Sequence, residues 1–232
     1  MKLWDKNTTT DEMISNFTVG DDRELDLVLA EFDALASIAH VSMLGKVALL
    51  SAEETQAIKT ELIKIYYSAK TKQFIIDPDS EDVHTQIEVL LTKRLGETGK
   101  KVHSGRSRND QVLVALKLYF RDEIEQLVQR TKTLFDTLSE LSNQHRDVLM
   151  PGYTHMQVAM VSSFGLWFGA YAEALADDLR ALQAAFQMTN LNPLGSAAGY
   201  GSSFPLDRTL TTRLLGFQDM HYNVINAQMS RG

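Results

Sequence analysis

The 232-residue chain contains no cysteine. That absence removes disulfides, thiolate nucleophiles and cysteine-ligated metal centres together, and it suits a reducing compartment. Positive charge is not in excess either. At a formal net charge of −7 the chain offers no generally basic face to nucleic acid or to an anionic membrane surface. The opening Met1-Lys2-Leu3-Trp4-Asp5-Lys6 lacks the apolar core of a secretory signal. No segment reads as an unbroken apolar run of bilayer-spanning length. Internal repeats, low-complexity tracts and β-alternating hairpin patterns are missing too. These absences lead to the expectation of a cytoplasmic protein without nucleic-acid or membrane partners.

What is present is ordinary for a packed domain: 44% hydrophobic and 23% charged residues, enough to bury a sizeable core and too few charges for disorder. The pattern is helical nearly throughout. Leu25, Val28, Leu29, Phe32, Leu35, Ala36, Ala39 and Met43 form one apolar stripe from about 22 to 46. Ser51 with Glu54 spells a capping box that opens a helix running to about Ala69. Asp77-Pro78-Asp79-Ser80 is a turn, followed by a helix from about Glu81 to Leu95, and Gly96 and Gly99 punctuate its end.

The strongest periodicity comes next. Leu113, Leu116, Phe120, Ile124, Leu127, Thr131, Leu134, Leu138 and Leu141 step by threes and fours. They predict a bundle or coiled-coil seam on a helix of about 35 residues, roughly 50 Å long. It ends near His145, and the loop Pro151-Gly152-Tyr153-Thr154-His155-Met156-Gln157 leads to a second long helix from about Ser162 to Gln187. A loop from Asn192 to Ser203 precedes a short helix from about Asp207. The fold class is all-α: an N-terminal helical domain, 1–102, followed by part of a long-helix bundle, 103–232. Apolar residues surround much of the second long helix, which predicts self-association.

Two turns are too polar for a core. His103-Ser104-Gly105-Arg106-Ser107-Arg108-Asn109-Asp110-Gln111 packs two guanidiniums, two serine hydroxyls and an asparagine amide ahead of the long seam. Forked arginines match carboxylates, and hydroxyls with amides fix how a polyanion lies. The bland alternative is that Arg106 and Arg108 make salt bridges at a helix start capped by Asn109 or Asp110. Arginine at the positive end of a helix is nevertheless odd unless an anion binds there. In the second turn His155 follows Pro151-Gly152-Tyr153, where an imidazole can project into a cleft and titrate near neutrality. His40 reads as a core or interface residue, and His84 as either a packing histidine or a support for the site.

These residues carry a resemblance. His103 to Gln111 resembles the first signature region of argininosuccinate lyases, in the fumarase/aspartase superfamily. Gly152-Tyr153-Thr154-His155-Met156-Gln157 is similar to the second region. Gly195-Ser196 with Pro205-Leu206-Asp207-Arg208 fits the stretch beyond it, and Glu81-Asp82-Val83-His84-Thr85 matches a further segment. The similarity runs from about residue 3 to the end and covers about the first half of a family member. The third signature, a mobile loop of the Gly-Ser-Ser-x-Met-Pro-x-Lys-x-Asn type, is expected to lie past Gly232.

The resemblance implies β-elimination of argininosuccinate to fumarate and arginine without a metal or organic cofactor, in a homotetramer whose active sites are shared between chains. It implies that His155 belongs to the acid/base apparatus and that Thr154, Ser107, Arg108 and Asn109 contact substrate. Thr18 stands where the family commonly has a substrate-binding serine, and Arg231 aligns with an arginine that can reach substrate. Asp5-Lys6-Asn7-Thr8 replaces the usual Gly-Gly-Arg-Phe, and Val161 replaces a common proline. Lacking the third loop, the 232 residues are expected to be inactive alone. Two alternatives stay open: a sister lyase with adenylosuccinate, fumarate or aspartate chemistry, and a non-enzymatic, crystallin-like helical oligomer.

Overall fold

The computed structural model describes Met13, Phe17 and residues 19–231. Thr18 and the Asp5–Thr8 departure lie outside the described residues. The chain forms two compact units, one of residues up to 119 with 190 onward, the other of residues 120–189. Neither matches the 1–102 and 103–232 division.

In the first unit a helical turn (Asp22–Leu25) and a 3₁₀ turn (Asp26–Leu29) lead into α1, Ala30–Lys46. The 3₁₀ turn shifts the phase of the apolar stripe. Leu25 and Val28 face solvent, as does Leu35 within α1 itself, whereas Leu29, Ala36, Ala39 and Met43 are buried. By length and composition alone Asp22–Lys46 holds an 18-residue window with a mean hydropathy of 1.6, enough to cross a bilayer, although Glu31 and Asp33 keep it from being an unbroken apolar run. Most of that window is buried inside the unit, as in a core helix.

Helix α2, Ala52–Lys70, starts on the expected capping box: Ser51 Oγ accepts from the Glu54 amide, and Glu54 accepts from the Ser51 amide. Asp82 caps α3, Val83–Leu95, by accepting from the Thr85 amide at 2.7 Å. Met43, Leu44, Ile58, Leu62, Ile87 and Leu91 of these three helices form the main core. A second cluster joins Ala36 and Ala39 to Val114, Leu118, Leu194, Leu215 and Phe217.

The seam lies on α4, Arg108–Gln144, whose 37 residues span about 55 Å. Its first three turns are buried in the first unit at Leu113, Val114, Ala115 and Leu118. From Phe120 onward none of its residues is buried within this chain.

The second unit holds the one clear departure from the expected loop. Residues 149–163 form an antiparallel hairpin, β1 Leu149–Thr154 and β2 Gln157–Ser163, with an irregularity between Gly152 and Tyr153. Its spacer His155-Met156 lacks the Asn-Gly signal of two-residue hairpins, and Pro151 argues against a strand, which hid it from the sequence pattern. A two-stranded ribbon has only edges, and Pro151 is tolerated on one. Helix α5, Phe164–Thr189, follows directly. Gly165 permits its start: a Cβ there would come within 2.5 Å of the Arg146 backbone.

Back in the first unit, β3 (Leu191–Asn192) pairs in parallel with β4 (Asp219–Met220), around α6, Arg208–Leu214, and ahead of α7, Val224–Met229. The fold is helical in its bulk, and its strands are short.

Candidate active site

The arginine-rich turn is built on the start of α4. Ser107 is its cap: Ser107 Oγ accepts from the Asn109 amide at 3.3 Å, and the Asp110 carboxylate accepts from the Ser107 amide at 2.9 Å. This reciprocal pair corrects the expectation that Asn109 or Asp110 caps the helix. Asn109 is exposed, with its Nδ2 donating to Ser107 Oγ at 3.2 Å. Arg108 Nη1 donates to the Asp82 carboxylate, and both its terminal nitrogens reach Thr85 Oγ1, at 3.3 and 3.2 Å. The cap of α3 therefore also aims the guanidinium of α4. Asp82 stays below the ordinary carboxylate range: burial works against it, but the Thr85 amide and the charges of Arg108 and His84 prevail.

Ser107, Arg108 and Asn109 are thus brought together in one helical turn, whose unsatisfied amides and positive dipole favour an anion. Arg106 plays a different part. It is buried, and Nη1 donates to Ser37 Oγ at 2.9 Å.

Beneath the turn lies a polar network that periodicity passed over. Asp33, fully buried, accepts from His84 Nδ1 at 2.8 Å and from Gln111 Nε2 at 3.1 and 3.0 Å, with Ser37 Oγ at 3.3 Å. Burial alone would raise its pKa; the charge and hydrogen bond of His84, then Arg106 and Gln111, outweigh it and hold the carboxyl below 3.8. His84 is accordingly a satisfied buried histidine. The signal was legible: Asp33, Ser37 and His40 stand at i, i+4 and i+7, a polar line on one helix face.

His40, also buried, donates from Nε2 to the Ser104 carbonyl at 2.9 Å and so pins the entrance to the turn. Burial, with Arg106 and His103 nearby, pushes its pKa down to about 3 against the favourable bond to Ser104. In the unfolded chain the ring takes a proton near 6.5, but the folded ring takes one only near 3. The unfolded state binds more protons between those values, and acidification from pH 6.5 towards 3 therefore destabilises the fold. In His40→Gln, whose amide can still donate to Ser104, the unfolding free energy should change less with pH across that window. Urea midpoints at a series of pH values measure this, and equal slopes for both proteins would exclude His40 as a source.

Asp110 is fully buried. Burial pushes its carboxyl up, opposed by hydrogen bonds from Ser107, Gly195 and Ala197 and by the charge of Arg106. The sequence pattern marked this residue only as a possible cap.

The second turn belongs to the other unit. Thr154 ends β1 paired with Gln157, and His155 and Met156 form the two-residue apex with φ of 47° and 61°. Two successive left-handed residues make a type I′ turn, which holds Thr154 and His155 at the exposed tip of the ribbon. Neither carries glycine, and each left-handed residue costs roughly 1–2 kcal/mol. Arg231 is exposed in the turn after α7.

Residues 4–230 match the sequence profile of the family described as Lyase. A protein named argininosuccinate lyase from Phocaeicola vulgatus is 60% identical over 231 residues, which cover 100% of this chain and 52% of that protein. The argininosuccinate lyase of Thermotoga neapolitana is 41% identical, with 100% of this chain and 58% of that protein covered. The chain thus spans about half the length of the curated relatives it matches. Among solved structures, an EDDS lyase variant with bound fumarate superposes with a TM-score of 0.76 at 27% identity, covering 96% of this chain and 44% of that one. A fumarate lyase:delta crystallin from Brucella melitensis, bound to cobalt, reaches 0.78 at 18% identity over 93% of this chain and 52% of its own, a likeness of fold alone.

Proposed function

Because the chain belongs to the lyase family, we propose that it supplies the N-terminal half of an argininosuccinate lyase. The reaction is β-elimination. A general base takes a proton from the succinyl carbon beside a carboxylate. The resulting dianionic aci-carboxylate collapses with cleavage of the C–N bond, a general acid protonates the departing guanidino nitrogen, and fumarate and arginine depart. The observation that carries the reading is the 60% identity to the Phocaeicola vulgatus argininosuccinate lyase along the whole chain.

The geometry supplies suitable parts. Ser107, Arg108 and Asn109 offer hydroxyl, guanidinium and amide donors at a helix start, suited to a dicarboxylate and to the charge that builds up on it. Asp82 and Thr85 fix the direction of the Arg108 fork, and a fork already aimed loses little freedom on binding. His155 at a rigid apex is the acid/base group, with Thr154 beside it contacting substrate. Thr18 and Arg231 are proposed as further substrate contacts.

We place the working protein in the cytoplasm as a homotetramer with sites assembled from several chains. The second unit supports self-association, since Leu127, Leu134, Leu166, Trp167 and Tyr171 are all exposed there.

Fumarate formation tests the reading. The 232 residues alone are expected to release none. A chimaera joining this chain to the part of the Phocaeicola vulgatus relative that it does not cover should release fumarate from argininosuccinate. It should leave adenylosuccinate and aspartate untouched. Robust turnover by the chain alone, or a chimaera active only on one of the other substrates, would overturn the proposal.

A further inference from the structure

One buried carboxylate joins two segments far apart in sequence. Asp110 Oδ1 accepts from the Ser107 amide at 2.9 Å, while Oδ2 accepts from the amides of Gly195 at 2.9 Å and Ala197 at 3.0 Å. The second segment adopts a backbone that needs such a hold. Gly195 has φ of 89° and Ala197 a left-handed φ of 51°, a conformation an alanine takes only at a cost. Turned this way, both amides reach a single oxygen.

The segment is held elsewhere too. Arg208 Nε donates to the Leu194 carbonyl at 2.9 Å, and its side chain lies so close to Gly195 that a Cβ there would sit 2.8 Å from Arg208 Cγ. Further along, Leu206 packs against Gly105 of the arginine-rich turn, where a Cβ would meet it at 2.9 Å.

We infer that Asp110 is a positioning residue: its carboxylate clamps the Ser107–Asn109 turn and the Gly195–Ala197 turn into one rigid body, and so sets where the substrate-gripping donors stand. The inference rests on the proposed lyase reading for its catalytic consequence and on the hydrogen bonds alone for the clamp. A carboxylate accepts all three amides at once, whereas an asparagine placed there turns one of its two acceptor sites into a donor facing donors. A buried amide left without an acceptor is costly, and the turns separate instead.

The test uses Asp110→Asn in the chimaera, with hydrogen exchange and fumarate kinetics read together. Exchange at the amides of Ser107, Gly195 and Ala197 should accelerate together. The KM for argininosuccinate should rise about tenfold or more, with kcat changing far less, as expected when binding groups are misplaced. Unchanged exchange overturns the clamp. Faster exchange with unchanged KM and kcat overturns the positioning role. Should the variant fail to fold, the unsubstituted chimaera decides. The three amides must open with one common free energy if they share an anchor, and unrelated rates at Ser107 and Ala197 refute it. A chimaera that makes no fumarate at all sinks the lyase reading while the exchange data still judge the clamp.

Discussion

Replacing His155 by asparagine in the chimaera is expected to lower kcat for argininosuccinate by roughly 10²–10⁴-fold, the usual contribution of a general acid or base. The choice of asparagine matters. His155 sits in the left-handed region at φ 47°, which asparagine adopts more readily than other non-glycine residues. The hairpin should therefore keep its shape, and the ribbon's neighbours gain no cavity, because the imidazole is exposed. Helicity by circular dichroism should match the parent. A fall in turnover can then be assigned to the lost imidazole. Parent-like kcat in the variant would remove His155 from the acid/base apparatus.

The second large effect is on stability. Asp33→Ala strips the acceptor from His84, Gln111 and Ser37 and leaves Arg106 without the buried counter-charge behind Ser37. Removing one member of a buried charged network typically costs about 3–5 kcal/mol, because the partners stay desolvated. A loss of that size should appear as a large drop in the urea midpoint at neutral pH. The double variant with His84→Ala should be much less destabilised than the sum of the two single changes, since the pair is in contact. A loss under about 1 kcal/mol would show that the network contributes nothing beyond solvent-exposed pairing. Asp33→Asn is expected to fall between, as its oxygen can still accept from Gln111 while the charge is gone.

How much of this could be read from the letters alone depends on which force decides each element. The capping box at Ser51 and Glu54 and the long seam of α4 were legible, because local hydrogen bonding and helical periodicity set them directly. The outer part of the first stripe misled: Leu25 and Val28 fit the period but face solvent where the 3₁₀ turn breaks the helical phase, and Leu35 does so at the margin of the buried face of α1. The hairpin at 149–163 was illegible because its apex uses histidine and methionine where glycine or asparagine normally signals the turn. At the candidate site, residue types announced the arginine-rich turn but not its wiring. Ser107, Asn109 and Asp110 are all good caps, and only the reciprocal bond between Ser107 and Asp110 selects one. The reach of Asp110 to Gly195 and Ala197 spans 85 and 87 residues, a distance no local pattern encodes.

The apex geometry also constrains Met156. Its side chain is 97% exposed, and by accessibility it ranks with the most replaceable positions of the chain. Its backbone, at φ 61°, says otherwise. Valine, isoleucine and proline are poor fits to that dihedral whatever room surrounds them, while glycine and asparagine enter freely. Tolerance to change at this spot is governed by torsion, and a survey of permitted variants guided by surface area would misjudge it.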